Sequence, residues 1–534
     1  MRNSELGTPN RIRSPARLWI AVALILIALP ACERRVPPPR KATPRVTNRS
    51  SVPKPIEGKG VKPPATPPMS RDLDAITRSR ALNVLFTFNS TGYFIYRGQT
   101  MGYEYDLINL FARDSNLRLN PIVIRDSKVL FEKLNRGDGD VVAAALAATT
   151  NQTEVAMTDT LYSTAPVVVQ RGGAKPPESG APPAVATAVA REQKETIPQT
   201  IRVHARLITT PRELAGQQVH MPRTSPYLRQ LLELNNELNN DIEVVEVDES
   251  SDRLIQRLAE GQIGYTVAAE NLAALKAGEY TNLVIQPAIG PPQPIVWALR
   301  HNSPALLKTL NDWLAAKRRS GLLSALYRKY FLDRRGFRQR AQSQYLTSET
   351  GTLSPYDNWF RQYAKIPGWD WRLIAAQAYQ ESKFDPQAHS WAGALGLMQI
   401  MPITAHQMHI NPANPQQSIE AACRYVWQLD DRWKASIPSG TERIKFILAS
   451  YNVGLGHVQD AVRLAEEHGD NAKSWDDVAY WLVRKSSRAV YNDPVVKHGF
   501  ARGTEPVAYV DAILSQWANY KEFIKEEPAV APGR

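Results

Sequence analysis

Between residues 80 and 300, short apolar runs alternate with amphipathic stretches. Residues 82–86, 121–124 and 141–146 are mainly apolar runs of strand length. Between them, residues 103–117 place Tyr105, Leu107, Leu110 and Phe111 at helical spacing, and residues 127–135 form a second helical stretch. A second set follows, with strands at 218–220 and 242–247 and helices at 226–239 and 253–261. Strands that alternate with helices predict parallel, doubly wound sheets, here in two lobes. The Ala/Pro-rich stretch 172–198 between the sets reads as a surface loop. From Tyr356 onward the pattern is helical throughout. Asp370 stands where it can cap a helix running to about Ser382. In that helix Trp371, Ile374, Ala375 and Ala378 recur at i, i+3, i+4 and i+7 and mark one buried face. Glu381 falls on the same face.

The first 71 residues have another character. Arg11, Arg13 and Arg17 precede an apolar stretch at 18–29, which ends in Pro30-Ala31-Cys32. A basic region, a short apolar core and a small-residue exit describe an export signal. The core is short of the ~20 residues needed to cross a bilayer as a helix. Residues 33–71 hold ten prolines, scattered Lys and Arg and no aromatic residue, which predicts an extended tether. The formal net charge of +13 changes meaning here: residues 1–31 carry +3 and residues 33–71 carry +8, so the rest of the chain is near neutral. Basic charge confined to a leader and tether points to anionic surfaces near the tether and away from a nucleic-acid groove. A chain of 534 residues exceeds one core, so several domains are expected. Two cysteines, Cys32 and Cys423, make no disulfide framework, and Cys423 reads as a small core residue. Without a His/Cys/Asp cluster at metal-ligand spacing, no metal or cofactor is expected.

A glutamate at a helix end is ordinarily solvated, but the surroundings of Glu381 are not ordinary. Pro386, a turn with Gly393 and Gly396, and the mostly apolar run 398–401 ending at Pro402 follow it. A carboxyl raised in pKa by apolar burial can protonate a departing glycosidic oxygen. Asp385 is the nearest second carboxyl in sequence and reads as a turn residue before Pro386.

Three ordered motifs then make a specific match. Gln380-Glu381-Ser382 with residues 386–402, Ala449-Ser450-Tyr451-Asn452-Val453-Gly454-Leu455-Gly456, and Glu505 with Tyr509, Val510 and Ile513 resemble the family 1 lytic transglycosylases. Ser450 and Ala422 are small departures from that pattern. The resemblance implies a mainly α, lysozyme-like domain that cleaves peptidoglycan glycan strands with Glu381 as sole catalytic acid/base. It also implies that Ser390 supports the substrate acetamido group or Glu381. Gln399 and the Met398 backbone would bind the sugar beside the cleavage point, Tyr451 and Asn452 would line the cleft, and Tyr509 would lie near the carboxyl. The implied reaction cuts the MurNAc–GlcNAc bond without water and leaves 1,6-anhydromuramic ends.

The middle segment resembles the family 3 solute-binding proteins through Gly102-Tyr103-Glu104-Tyr105-Asp106-Leu107 and the turn Leu134 to Asp140. That resemblance implies a two-lobed, periplasmic-binding-protein-like α/β module. The carboxylate-gripping Arg expected after strand 141–146 is absent from Thr149-Thr150-Asn151-Gln152-Thr153, which argues against ordinary amino-acid binding. A wall-derived peptide or muropeptide ligand, a regulatory role and a purely structural role stay open. Leu29-Pro30-Ala31-Cys32 resembles a lipobox, so Cys32 would be lipidated and, with Glu33 next, sorted to the outer membrane, in its periplasmic leaflet. The expected order is signal 1–31, tether 32–71, binding module 72–333, linker 334–354, catalytic domain 355–525 and tail 526–534. A hydrolytic muramidase and a non-catalytic wall-sensing lipoprotein are the competing readings.

Overall fold

The computed structural model describes residues 69–148, 155–172 and 206–525, all within one compact unit, Ala65–Arg534. The export signal, Cys32, most of the tether, residues 149–154, the bulk of the 172–198 interruption and the tail lie outside the described residues.

The N-terminal module is two sheets flanked by helices. In the first, Arg118–Val123, Ala81–Phe86 and Val141–Ala147 run parallel, as the sequence pattern predicts. In the second, Glu243–Val247, Gln218–Pro222 and Tyr265–Ala269 do the same. Neither sheet is wholly parallel, which corrects the expectation. Gln293–Leu299 enters the first sheet antiparallel to Val141–Ala147, and Pro166–Arg171 enters the second antiparallel to Tyr265–Ala269. The reason is connectivity. Tyr162–Thr164 pairs in the first sheet and passes at once into Pro166–Arg171 of the second, and Leu283–Ala288 returns through Gln293–Leu299. Two strands that cross between lobes approach each sheet from the side opposite to the strand–helix units.

Asp140, at the turn before the third parallel strand, is fully buried and pairs with the equally buried Arg300 at 3.0 Å. Arg71 joins them, its Nε 2.9 Å from Asp140 and its carbonyl accepting from Arg300 Nη2 at 2.9 Å. Residues 69–71, placed in the tether by composition, therefore lie against the module. A fully buried pair persists only where hydrogen bonds offset the lost hydration, and here the backbone of three segments supplies most of them, with Arg300 Nε left without a partner.

Residues 334–354 carry two short helices, Arg334–Ala341 and Thr347–Thr350. The first is held by buried Phe337, under the Lys276 ammonium, and by Arg340, whose guanidinium lies over the rings of Phe94 and Tyr330.

The C-terminal domain is helical around the central helix Trp371–Ser382, eight of whose first residues in a row, 371–378, are buried. Asp370 caps it as predicted, accepting from the Arg372 amide at 2.9 Å, and also receives Trp517 Nε1 at 2.9 Å. The central helix packs on the long helix Thr504–Phe523 and on Asp357–Tyr363.

One element was not legible in the apolar pattern. The hairpin Phe94–Tyr96 and Gln99–Met101 leaves the first lobe and enters the helical domain, where Ile95 joins the core built around Ile374 and Leu397. The Gly98 carbonyl at its tip accepts from Tyr520 Oη at 2.9 Å and Gln516 Nε2 at 2.8 Å. Tyr93 Oη donates to Asn519 at 2.9 Å alongside.

Candidate active site

Glu381 sits in the last turn of the central helix. Its carboxyl accepts a hydrogen bond from Tyr509 Oη of the helix Thr504–Phe523 at 2.5 Å. Burial pushes its pKa up to about 7, against the opposing pull of the Tyr509 hydrogen bond and of Lys383. Among the described residues, no carboxylate is one of the groups that perturb it. At neutral pH the group is therefore part acid and part base, the condition for giving and then retrieving a proton. Asp385 is turned to a local task, accepting from the Gln387 amide at 2.9 Å.

The strand-like turn 388–400 forms the wall beside this carboxyl. Short bridges join His389 to Leu395 and Leu395 to Ile400. Gly396 has φ +84°, and a Cβ there would lie 1.9 Å from the Pro412 carbonyl, so only glycine fits. The Ser390 hydroxyl accepts from the Ala394 amide at 2.9 Å and so tightens its own turn. Among the described residues nothing bonds it to Glu381. Gln399, at φ +50°, points Nε2 back to the carbonyls of Ala388 (3.0 Å) and Gly396 (2.9 Å). Met398 is fully buried; its amide donates to Ser418 Oγ at 3.2 Å and its carbonyl accepts from Tyr451 Oη at 2.9 Å.

Tyr451 thus ties the helix Gly440–Val453 to the wall, and the Glu381 charge acts on it. Asn452, next in the chain, is exposed at the end of that helix. Cys423 is fully buried, and burial pushes its thiol up to about 12, which makes it an inert core residue. The structure brings Glu381, Tyr451 and Tyr509 together, with Met398 held through Tyr451. Three further residues of these segments were not singled out from sequence. Lys383, just past the helix at φ +57°, lies over the Tyr379 ring at 4.3 Å and faces Glu381 electrostatically. Trp391, at the tip of the turn, is 99% exposed. Gln377, one turn before Glu381, is wholly buried.

Two family models match this chain: bacterial extracellular solute-binding proteins, family 3, over residues 83–333, and the transglycosylase SLT domain over residues 358–474. The membrane-bound lytic murein transglycosylase F of Shewanella pealeana is 31% identical over 415 residues, covering 77% of this chain and 79% of its own. The chain belongs to the membrane-bound lytic murein transglycosylase F family. Its counterpart from Desulfosudis oleivorans is 29% identical over 458 residues, covering 84% of this chain and 90% of its own. Among solved structures, the P235GK mutant of the arginine-binding protein from T. maritima is 20% identical, covering 49% of this chain and 99% of that one at a TM-score of 0.38. The protein is thus a lytic transglycosylase with a solute-binding-protein-like module ahead of its catalytic domain. Tyr509 lies beyond residue 474, so the group that touches the carboxyl falls outside the matched transglycosylase segment.

Proposed function

We propose that this enzyme cleaves the β-1,4 bond between N-acetylmuramic acid and N-acetylglucosamine without water, with Glu381 as acid and then base. The observation that carries the reading is a single, largely buried carboxyl at a pKa of about 7 with no carboxylate among the groups acting on it. A pair of carboxylates is the usual requirement for glycosidases. With one, the electron-poor carbon has to be trapped by the sugar itself. Glu381 protonates the leaving oxygen as the C1–O4 bond breaks, and the acetamido oxygen assists at C1. The muramic 6-hydroxyl then attacks C1 and returns its proton to Glu381, which closes a 1,6-anhydro ring and restores the acid. Tyr509 holds the carboxylate between the two transfers. Tyr451 and the Met398–Gln399 segment shape the sugar site, Ser390 supports the acetamido group, and Asn452 lines the cleft from its exposed position.

Sacculi digested with the soluble chain should release muropeptides with anhydro ends, seen by mass spectrometry as products one water lighter than hydrolytic ones. Reducing ends in their place would make the enzyme a muramidase and end this reading.

The module is proposed to bind a wall-derived peptide or muropeptide and to regulate cleavage. A cavity of about 220 Å³ between Ser90 of one lobe, Asp252 and Lys276 of the other, and Arg340 and Glu349 of the connecting segment supports a small polar ligand. The membrane-bound character in the relatives' names and the Leu29–Cys32 exit of the apolar run support anchoring in the outer membrane through lipidated Cys32. No helix among the described residues is long and apolar enough to cross a membrane. Cys32→Ser should release the protein from the membrane fraction and abolish incorporation of labelled lipid. Unchanged fractionation with no lipid on the parent protein would refute the anchor.

A further inference from the structure

Gln377 occupies a position that the packing of its helix does not explain. It lies within the run 371–378, all of it buried, and its own side chain has no solvent exposure. Both amide atoms, Oε1 and Nε2, lack a hydrogen-bond partner. Leaving a buried polar atom unpaired costs free energy, and a Leu or Met of similar volume would avoid that cost. Each such group in a native structure calls for a reason.

Its place supplies one. Gln377 precedes Glu381 by four residues, so the two side chains share one face of the helix, one above the other. That face packs on the helix Thr504–Phe523, which delivers Tyr509, 5% exposed, to Glu381. Burial raises the Tyr509 phenol well above its ordinary value, and the neighbouring Glu381 charge adds to this. The Gln377 amide is close enough to pull the other way, although no hydrogen bond of normal geometry joins the two. Gln377 thus shares a face with Glu381 against the helix that carries Tyr509, and no hydrogen bond joins its amide to the phenol. The other titratable groups facing Glu381 are Tyr451, from the helix Gly440–Val453, and Lys383, beyond its own helix.

We infer that Gln377 is a positioning residue for the acid/base: its Nε2 donates to the Tyr509 oxygen when Tyr509 gives its own hydrogen to the ionised Glu381 carboxylate. A phenol that accepts one hydrogen bond donates a stronger one, because chained hydrogen bonds polarise each other. The relay favours the ionised state and so limits how far burial can raise the carboxyl. It returns Glu381 to the base form needed for the second proton transfer. The inference rests on Glu381 as the catalytic group for its consequence in turnover, and on geometry alone for its consequence in titration.

The test uses the full chain and the variants Gln377→Met and Gln377→Leu, which remove the amide at similar volume. The Glu381 carboxyl is titrated by carbon NMR of glutamate-labelled protein, its signal assigned by difference against Glu381→Gln. The expected result is a rise in the Glu381 midpoint of about half a pH unit or more in both variants, the size of one weakened hydrogen bond. The alkaline limb of the activity profile should move up by the same amount, since the first step needs the protonated form. Tyr509→Phe should raise the midpoint too, and adding Gln377→Met to it should raise it no further. An unchanged midpoint in Gln377→Met, or a full additional shift on top of Tyr509→Phe, overturns the relay. A midpoint that moves while activity ignores it leaves the relay in place and removes Glu381 from catalysis. A merely structural Gln377 would change the melting temperature and leave both midpoints where they are. If Gln377→Met fails to fold, the same readings are taken from Gln377→Leu, and then from Gln377→Asn, whose shorter amide should give a partial shift.

Discussion

Glu381→Gln is expected to abolish muropeptide release and to leave the fold intact. The amide keeps the shape of the carboxyl and can still accept from Tyr509, but it has no proton to give and cannot collect one. General acid catalysis by one group contributes about 10²–10⁴-fold, and in the proposed mechanism the same carboxyl serves both transfers, so the loss should reach or exceed the upper figure. The pH dependence follows from the same shift. A carboxyl raised to about 7 is protonated below that value, so the first step should weaken as pH rises through neutrality. Stability moves in the same direction. In the unfolded chain the group titrates near 4.3, so between about 4.3 and 7 the folded state holds a proton that the unfolded state has lost. Folding therefore weakens as pH rises through that window, and above 7 the whole penalty of a buried carboxylate is present. The glutamine variant lacks that penalty and should melt higher than the parent at pH 8. Sacculus digestion and melting curves at pH 5 and pH 8 read both effects. Near-parental release by Glu381→Gln would remove Glu381 from the chemistry.

What could be read from the sequence follows the range of the interactions. Strands 81–86 and 141–147, the helix opened by Asp370 and the inward side of Glu381 depend on local periodicity and capping, and the structure has them at nearly the expected places. The partnership of Tyr509 with Glu381 spans 128 residues and was reachable only because an ordered motif placed the tyrosine. The antiparallel strands were missed because their direction is set by the path between lobes, which periodicity does not record. The hairpin at 94–101 was missed for another reason: two three-residue strands are too short to show alternation, and what stabilises them lies more than 400 residues away in Gln516, Asn519 and Tyr520. Gln377 was hidden in plain sight, since a glutamine in a helix is expected at the surface and only burial reveals it as an exception. Ser390, proposed to support the acetamido group, also accepts from the Ala394 amide within its turn, a bond that no sequence pattern records.

Gly98→Val should have the second largest effect, and it would reach the active site from the other domain. Gly98 has φ +76°, a region that a β-branched residue adopts only with strain. A Cβ there would lie 2.4 Å from the Phe384 ring and 3.0 Å from Tyr379. Neither ring can yield cheaply, because Phe384 packs edge-on against Tyr379 with centroids 5.5 Å apart and tilts against Phe360 at 6.0 Å. Overpacking and backbone strain together should cost about 2–5 kcal/mol. The less costly outcome is for the hairpin to lift, which withdraws Ile95 from the helical core and breaks the hydrogen bonds from Tyr520 and Gln516. Tyr379 and Phe384 bracket Glu381 in the chain, two residues before it and three after. Once they are released, the carboxyl loses the brace that holds its helix end against Tyr509. A displacement near 1 Å in a catalytic group can cost up to about a hundredfold, so digestion should fall roughly ten- to hundredfold well below the melting point. Glu381 should also titrate lower as solvent reaches it, because burial is the main cause of its raised pKa. Gly98→Ala, with the same Cβ and less bulk, should show the same direction at smaller size. Parental melting and parental digestion in Gly98→Val would mean that the hairpin is a passive contact and that the N-terminal module has no purchase on the Glu381 helix through it.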